Sequence, residues 1–229
     1  MTLLLLIRHA VTESTGTRLS GRTPGLHLGE QGRVQAAALG ERLRPVPLAA
    51  VYSSPLERCM ETAEAAAGGR VDVTALPGLL EVDYGRWTGR PFTQLVRTSL
   101  WKRVQQSPSL VRFPEGESLE EVQARTVATL MEVTAGHPRA AVAMVTHAEV
   151  IRLAVAHFAG IHLDLFQRLI VHPASISAVA VGDGIPRILR INDTGSVNDL
   201  VPRRRRRPAG RPAAGGRRSR PRGPGPTIG

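Results

Sequence analysis

The chain contains short aliphatic runs that end abruptly at polar side chains. Residues 3–7 are five consecutive large aliphatic residues, and residues 140–145 form a second continuous apolar run. Runs of this length, bounded by polar sequence, are typical of strands buried on both faces of an α/β sheet. Arg8 and His9 follow the first run, and His147 comes shortly after the second. The pattern therefore predicts two buried strands that each deliver a histidine to the carboxyl edge of a sheet, where ligands bind in open α/β folds.

Further periodic segments extend this pattern along the chain. Helical spacing predicts helices over residues 30–43, 92–106, 119–135 and 149–158, and apolar runs predict strands over residues 48–52, 71–73, 176–181 and 187–191. Ser118 with Glu121 three residues later predicts a capping box at the start of the helix over residues 119–135. Residues 11–29 show no regular period and are expected to cross the edge of the sheet as a loop, with hydroxyls and amides that can line a site.

Another helix is predicted to begin near Ser54. Ser54 fits the N-cap position, Pro55 the first helical position, and Glu57 the position three residues after the cap. Arg58 would then lie in the first turn of a helix whose amino end faces the same edge of the sheet. Its guanidinium and the helix dipole would both attract an anion there.

Composition divides the 229 residues into two parts. The formal net charge is +11, but residues 202–229 contain ten arginines and no acidic residue, so residues 1–201 are nearly neutral. The predicted organisation is one folded domain over residues 1–201 and a disordered Arg/Pro/Gly-rich tail over residues 202–229. The tail suits nonspecific contact with nucleic acid or another acidic surface, although it has no aromatic residue to stack on bases.

The single cysteine and the short apolar runs indicate the cellular compartment of the protein. Cys59 has no partner for an intrachain disulfide, which fits a reducing compartment. The first aliphatic run is too short for a signal peptide, and no stretch approaches the ~18 apolar residues of a membrane helix. We expect a cytoplasmic protein with no membrane contact, and the sequence does not predict its oligomeric state.

Four residues at the predicted edge favour phosphate chemistry. The guanidinium groups of Arg8 and Arg58 match phosphate oxygens and keep their charge at physiological pH. A neutral imidazole of His9 can attack phosphorus and form a covalent intermediate. His147, as a cation, would help to neutralise the charge of the transition state.

A proton donor is predicted in the loop that follows residue 80. Glu81 comes directly after two leucines, so burial would raise the pKa of its carboxyl and suit it to protonate a leaving oxygen. Asp83 is a competing candidate in the same loop. Together with the cationic edge, either acid predicts phosphoryl transfer from a monoester.

Other chemistries lack their sequence signatures. No HExxH or CxxC pattern is present, so no metal and no cofactor are expected. The G-x-S-x-G signature of serine hydrolases is also missing. A nucleotide-binding G-x-x-x-x-G-K-[ST] loop is absent, and the only lysine is Lys102.

Seven ordered motifs carry a resemblance to a known family. They are Leu6-Ile7-Arg8-His9, Gly21, Gly32-x-x-Gln35-Ala36, Ser53-Ser54-Pro55-Leu56-x-Arg58-x-x-x-Thr62-Ala63, Leu80-Glu81-x-x-x-Gly85-x-Trp87-x-Gly89, Gly116-Glu117-Ser118 and Val145-Thr146-His147. The chain resembles the histidine phosphatase superfamily, phosphoglycerate mutase-like branch, over about residues 2–200. Residues 21–25 and 162–168 also look like a subgroup labelled probable phosphomutases.

The resemblance implies a fold and a set of roles. The implied fold is an α/β three-layer sandwich with a mixed, mainly parallel sheet flanked by helices. His9 would be the phosphohistidine nucleophile and Glu81 the proton donor, with Arg8, Arg58 and His147 forming the phosphate pocket. The substrate-binding positions implied are Thr15, Ser20, Gly21 and Tyr84.

The chain departs from the family pattern at several positions. Ala10 and Ala148 stand where the family usually has glycine, and a methyl group there is expected to narrow the phosphate site and to disfavour a positive φ. Thr15 replaces a common asparagine but can still form a hydroxyl hydrogen bond. The basic insertion of phosphoglycerate mutases is not evident between residues 92 and 117, which favours a phosphatase.

Three functions follow from the sequence in order of preference. The first is a phosphomonoester phosphatase that acts on a small phosphorylated substrate through His9. The second is a phosphomutase. The third is a noncatalytic protein that binds phosphate or nucleic acid, motivated by Ala10, Ala148 and the Arg-rich tail.

Overall fold

The computed structural model describes residues 1–195, so the predicted tail lies outside the described residues. Its centre is one six-stranded sheet in the order β3-β2-β4-β1-β5-β6. The strands are β1 (Thr2–Arg8), β2 (Leu48–Ser53), β3 (Val73–Ala75), β4 (Ala141–Thr146), β5 (Ile176–Val181) and β6 (Arg187–Asp193). Strands β1 to β4 are mutually parallel, whereas β5 and β6 run antiparallel to their neighbours. The predicted mixed, mainly parallel sheet is confirmed.

The register of the two central strands places both histidines at one level. Strands β1 and β4 pair in parallel with Arg8 opposite Thr146. The backbone N–H of His9 continues the ladder by donating to the Thr146 carbonyl at 2.9 Å. Because each histidine directly follows its strand, His9 and His147 emerge side by side at the carboxyl edge.

Helices cover both faces of the sheet. They are α1 (Glu30–Leu43), α2 (Glu57–Ala67), α3 (Phe92–Leu95), α4 (Ser99–Gln106), α5 (Leu119–Gly136) and α6 (Ala148–Ala159). Leu5 and Ile7 of β1 face a core shared with α1 and α2. Leu4 and Leu6 alternate to the other face and pack against α5 and α6. This strict alternation along a strand with apolar residues on both sides produces the three-layer sandwich.

The helix predicted over residues 92–106 is interrupted. Helix α3 ends at Leu95, and α4 begins after Thr98, whose Oγ1 accepts a hydrogen bond from the Trp101 N–H at 3.2 Å. A local N-cap therefore starts a new helix inside a segment that has continuous helical spacing. Both short helices contribute to a third apolar cluster, formed mainly by residues 82–122 and 150–166, that borders the carboxyl edge of the sheet.

The remaining boundaries agree closely with the sequence patterns. Helix α1 and strand β5 have the predicted limits, and the capping box of Ser118 and Glu121 is present at α5. The third strand lies at Val73–Ala75, two residues beyond the predicted start. Within residues 1–195, no helix combines the length and the apolar character needed to cross a membrane.

Candidate active site

His9 is buried at the carboxyl end of β1, and one of its ring nitrogens forms a hydrogen bond with the backbone. Its side chain is 7% exposed, and its Nδ1 lies 2.7 Å from the Ala10 carbonyl oxygen. A carbonyl can only accept, so Nδ1 carries the proton and Nε2 keeps its lone pair. Burial and the neighbouring Arg58 lower the pKa of His9 to about 3. The imidazole is therefore neutral at physiological pH and able to act as a nucleophile through Nε2.

Side chains from α1 and α2 fix the backbone after His9. The Ala10 N–H donates to Thr62 Oγ1, and the Val11 N–H donates to Gln35 Oε1, both at 3.1 Å. Ala10 is fully buried away from the cavity described below. These contacts explain why the sequence motifs include Gln35 and Thr62.

The expected strain at the two alanines is not found. The non-glycine residues with positive φ in the part of the chain described are Glu115, Arg139, Ala174 and Asn192. Ala10 and Ala148 therefore have ordinary negative φ values, and Ala148 begins helix α6. The backbone at these two positions therefore does not require the left-handed conformation that alanine disfavours. Of the two alanines, only Ala148 lines the cavity.

Two arginines flank His9, and each has an N–H group without a hydrogen-bond partner in the protein. Arg8 Nη1 donates to the Val171 carbonyl at 2.7 Å, and Arg58 Nη2 donates to the Gly21 carbonyl at 2.8 Å. Arg8 Nε and Arg58 Nη1 are buried and have no hydrogen-bond partner within the protein. Unpartnered N–H groups are rare in protein interiors, and guanidinium N–H groups match phosphate oxygens. The two side chains are arranged to hold an oxyanion beside His9.

His147 lies behind this pair and is fully buried. Its ring centroid is 5.3 Å from that of His9, and Arg58 Nη2 approaches its Nδ1 at 3.3 Å. A guanidinium donates only, so Nδ1 accepts and Nε2 donates to Ser54 Oγ at 2.9 Å. Burial, Arg58 and His9 hold the pKa of His147 well below its ordinary value. The free site thus contains a neutral His147, in place of the expected cation, and this side chain does not line the cavity.

The interaction with His147 also changes the role predicted for Ser54. Helix α2 begins at Glu57 with Leu56 at the N-cap, and no side chain caps it. The predicted N-cap at Ser54 was therefore wrong, because the Ser54 hydroxyl is used by His147. Arg58 still lies in the first turn of α2, as predicted.

Glu81 faces His147 from the loop after β3. Its side chain is buried, its Oε1 accepts from the Val82 N–H at 2.9 Å, and its Oε2 lies 3.7 Å from His147 Nδ1. Burial, and then the negative charge of Glu149, raise the pKa of Glu81 to about 8. The carboxyl is therefore mostly protonated at neutral pH and can donate a proton.

Asp83, the competing acid, forms contacts within the protein through both carboxylate oxygens. Its Oδ1 accepts from the Gly85 N–H at 2.9 Å, and its Oδ2 lies 3.7 Å from Arg22. It does not line the cavity. Glu117 completes this arrangement, since its Oε2 accepts from the Asp83 N–H at 3.0 Å and from Arg22 at 2.9 Å. This network holds the loop that presents Glu81.

These side chains open onto a cavity of about 250 Å³. The predicted site residues at its surface are Arg8, His9, Thr15, Ser20, Gly21, Arg58, Glu81 and Tyr84. Thr15 Oγ1 accepts from the Thr12 N–H at 2.9 Å, and Ser20 Oγ lies 3.0 Å from Ser14 Oγ. Gly21 has a φ of +52°, and an added Cβ would lie 3.0 Å from Thr88 Oγ1, so glycine suits the turn that aims its carbonyl at Arg58.

Sequence reasoning missed several residues of this cavity. The polar ones are Thr12, Arg18, Gln105, Glu149, Arg152 and Gln167, and most of the others are apolar or aromatic. Glu149 lies two residues after His147 in the first turn of α6, so its position relative to the strand end was a usable signal. The side chains from α3 and α4 arrive only through the tertiary fold. No group of three or more potential metal ligands is found within residues 1–195.

The fold and the cavity together define an α/β enzyme of phosphoryl transfer. The chain belongs to the histidine phosphatase superfamily, because residues 4–194 match the family described as "Histidine phosphatase superfamily (branch 1)". This finding confirms the resemblance drawn from the motifs.

Individual relatives are consistent with this membership. "Phosphoserine phosphatase 1" of Hydrogenobacter thermophilus is 32% identical over 85% of this chain and 93% of its own length. "Bifunctional protein Rv2228c" of Mycobacterium tuberculosis is 36% identical over 85% of this chain, which spans only 54% of that relative. Among solved structures, YhfR of Bacillus stearothermophilus superposes with a TM-score of 0.78 at 29% identity, covering 82% of this chain and 96% of its own.

Proposed function

We propose that this protein is a phosphomonoester phosphatase in which His9 is the phosphorylated nucleophile. The observation that carries the proposal is the state of His9. Its Nδ1 proton is donated in a hydrogen bond to the Ala10 carbonyl, so its Nε2 lone pair is available. Its pKa is lowered to about 3. Arg8 and Arg58 place unpartnered guanidinium donors around it.

In the first step, His9 Nε2 attacks phosphorus and the bond to the leaving oxygen breaks. The N–H groups of Arg8 and Arg58 neutralise the charge on the nonbridging oxygens. A phosphate bound at His9 also brings negative charge near His147, whose ring centroid is 5.3 Å from that of His9, and this charge favours the protonated imidazole over the neutral form of the free site. Protonated Glu81 supplies the proton to the departing alkoxide.

In the second step, water hydrolyses the phosphohistidine. Glu81 is left as a carboxylate after the first step and accepts a proton from the attacking water. The new P–O bond forms as the P–N bond breaks, and His9 returns to its neutral form with Nδ1 still bound to Ala10. Inorganic phosphate leaves the site, and Glu81 is again protonated for the next cycle.

A mutase is the alternative, since "Probable phosphoglycerate mutase GpmB" of Cronobacter sakazakii is 30% identical over 76% of this chain. The segment over residues 92–117 supports the phosphatase. Its basic residues do not line the cavity, whereas four of its apolar residues do: Phe92, Trp101, Val104 and Phe113. A second phosphate on the substrate would find no cation from this segment. The proposal includes a small phosphorylated substrate and, from the lone Cys59, a cytoplasmic location.

The proposal is tested by phosphate release from a panel of phosphomonoesters and by trapping the acid-labile phosphoenzyme. His9→Ala should lower turnover by at least ~10⁴-fold and remove the trapped phosphate, because the nucleophile is lost. His157→Ala is the matched control, since His157 is exposed and outside the cavity. Isomerisation of a substrate without net phosphate release would indicate the mutase. Inactivity of the wild-type protein on the whole panel, with no phosphoenzyme, would refute both.

A further inference from the structure

Aromatic residues are scarce in this chain and concentrated in one place. The sequence has four Phe, two Trp and two Tyr. Six of these eight residues line the cavity that contains His9: Tyr84, Trp87, Phe92, Trp101, Phe113 and Phe166. The exceptions are Tyr52 and Phe158. An enzyme for a small polar monoester needs no such concentration of rings.

Five of these rings pack against one another and form one continuous aromatic wall. Tyr84 and Phe113 meet edge to face with centroids 4.8 Å apart, and Phe113 meets Trp87 at 5.6 Å. Trp87 stacks on Trp101 at 6.3 Å and 29°. Phe92 completes the wall by an edge contact with Trp101 at 6.1 Å. Aromatic rings prefer these offset and edge geometries, so a further ring can extend the series.

Two of the rings are available for new contacts. Tyr84, Trp87 and Phe113 are almost fully buried, whereas Phe92 and Trp101 are only partly buried. The partly buried rings lie on α3 and α4 and face the cavity. Apolar surface of this kind is stabilised when a ligand removes it from water.

The acidic side chain of the cavity outside the phosphate end is already paired with a base. Glu149 Oε1 pairs with Arg152 Nη1 at 3.1 Å, one helical turn along α6. A substrate ammonium would have to compete with Arg152 for Glu149. Arg152 also has a buried Nε with no hydrogen-bond partner within the protein, and Arg18 lines the cavity as a second cation. The pair therefore offers the ammonium group of an amino-acid leaving group little compensation for its desolvation.

The cavity volume suits one ring and one phosphoryl group. A cavity of about 150 Å³ is large enough to hold benzene, and this cavity measures about 250 Å³. Arg8, His9 and Arg58 line the same cavity.

We propose that the preferred substrates are phosphate monoesters of alcohols that carry an aromatic ring. This inference rests on the proposed phosphatase function and names its substrate class. The ring of the leaving group would contact Phe92 and Trp101 while its phosphoryl group is held beside His9. Phosphoserine would be a poor substrate of this chain.

The test compares 2-phenylethyl phosphate with ethyl phosphate and O-phosphoserine. All three release an alkyl alkoxide, so a difference in kcat/KM reports mainly recognition of the leaving group. We expect kcat/KM for 2-phenylethyl phosphate to be at least ~10-fold higher than for either comparator. Equal values, or a preference for O-phosphoserine, would overturn the inference even without any variant.

Substitutions locate the preference in the aromatic wall. Trp101→Ala should reduce the ratio of kcat/KM for 2-phenylethyl phosphate to that for ethyl phosphate by ~10-fold, and Phe92→Ala should reduce it in the same direction. Phe158→Ala, a partly buried ring outside the cavity, should leave the ratio unchanged. Trp101→Leu keeps apolar bulk if the alanine variant is unstable, and it should give an intermediate ratio. An unchanged ratio in both Trp101 variants contradicts the inference.

The two proposals fail in different ways. If the wild-type protein forms phosphohistidine and releases phosphate from all three esters equally, only the substrate class is wrong. If it releases phosphate from none of them and no phosphoenzyme is trapped, the proposed function is wrong.

Discussion

Glu81 combines burial with a specific charged neighbour. Burial and the charge of Glu149 raise its pKa to about 8, so the acid form predominates below that pH. We predict that Glu81→Gln lowers kcat for an alkyl phosphate by ~10²- to 10⁴-fold, because the alkoxide then leaves without a proton. An aryl phosphate, whose leaving group needs little protonation, should lose much less in the phosphorylation step. Single-turnover measurements on both esters check this difference.

The pH profile provides an independent check on Glu81. A raised pKa means that the proton donor is present below about 8 and lost as the pH rises through that value. The kcat/KM of the wild-type protein should therefore fall above about pH 8, and Glu81→Gln should remove this limb. A wild-type profile that is flat from pH 7 to 10 would contradict the assignment.

Ser54 contacts His147, whereas its neighbour Ser53 does not. The Ser54 hydroxyl accepts from His147 Nε2, and the Ser53 hydroxyl donates to the Ser54 carbonyl at 2.8 Å. Ser54→Ala should lower kcat by roughly 10- to 100-fold through misplacement of the imidazole. Ser53→Ala is expected to lose about 0.5–1.5 kcal/mol of stability with little change in kcat. Turnover and urea unfolding of both variants distinguish the two roles, and equal kcat values would argue against positioning by Ser54.

For single residues, the sequence predicted the position of a side chain where that residue directly follows a buried strand. His9 and His147 could be placed because an aliphatic run fixes where the edge of the sheet lies. The two leucines before Glu81 predicted that its carboxyl is buried, and the family resemblance favoured it over Asp83. The hydroxyl of Ser54 was not, because a serine before Pro-x-Glu has the local signature of an N-cap and its actual partner is 93 residues away.

Helix α1 approaches the loop after β1 so closely that one residue has no room for a side chain. A Cβ on Gly32 would lie 2.0 Å from the Val11 carbonyl oxygen, two residues after His9. Gly32→Ala is predicted to destabilise the fold by about 1–3 kcal/mol or more and to reduce turnover by displacing that loop. Urea unfolding and kcat measure the two effects.

Gly136 is the matched control for a helical glycine. It ends α5, and nothing lies within 4 Å of an added Cβ. Gly136→Ala should therefore be neutral or stabilise the protein by up to about 0.5–1 kcal/mol. If both alanine variants changed stability in the same direction by similar amounts, the close approach of Gly32 would not be the cause.

Element prediction succeeded for isolated amphipathic helices and failed where tertiary packing subdivides a segment. Helix α1 was predictable because its apolar positions and its proline-rich end are all local. The break between α3 and α4 depends on Thr98 as an internal cap and on the packing of Trp101 against Trp87 and Phe92. Those contacts join residues that no local pattern connects, so the aromatic wall could not be predicted.

The cavity residues all lie within residues 8–167, well before the predicted tail. We predict that a protein ending at residue 201 keeps the kcat/KM of the full chain, since every residue that lines the cavity is retained. Binding to an anionic polymer such as heparin should fall after truncation, and binding by the full chain should weaken steeply with salt. Phosphatase assays and heparin elution at several salt concentrations test this domain boundary. A large loss of activity on truncation would show that residues 202–229 belong to the working enzyme.

Strand β1 occupies the middle of the sheet, between β4 and β5. Its partners begin at Ala141 and Ile176, so it has no neighbour to pair with while the intervening chain is being synthesised. At ~5–20 residues per second, that interval lasts on the order of ten seconds. During this time the aliphatic run from Leu3 to Ile7 is an unpaired, aggregation-prone strand, and contacts of such long sequence separation form slowly. The position that brings His9 beside His147 therefore makes the appearance of activity a late event in folding.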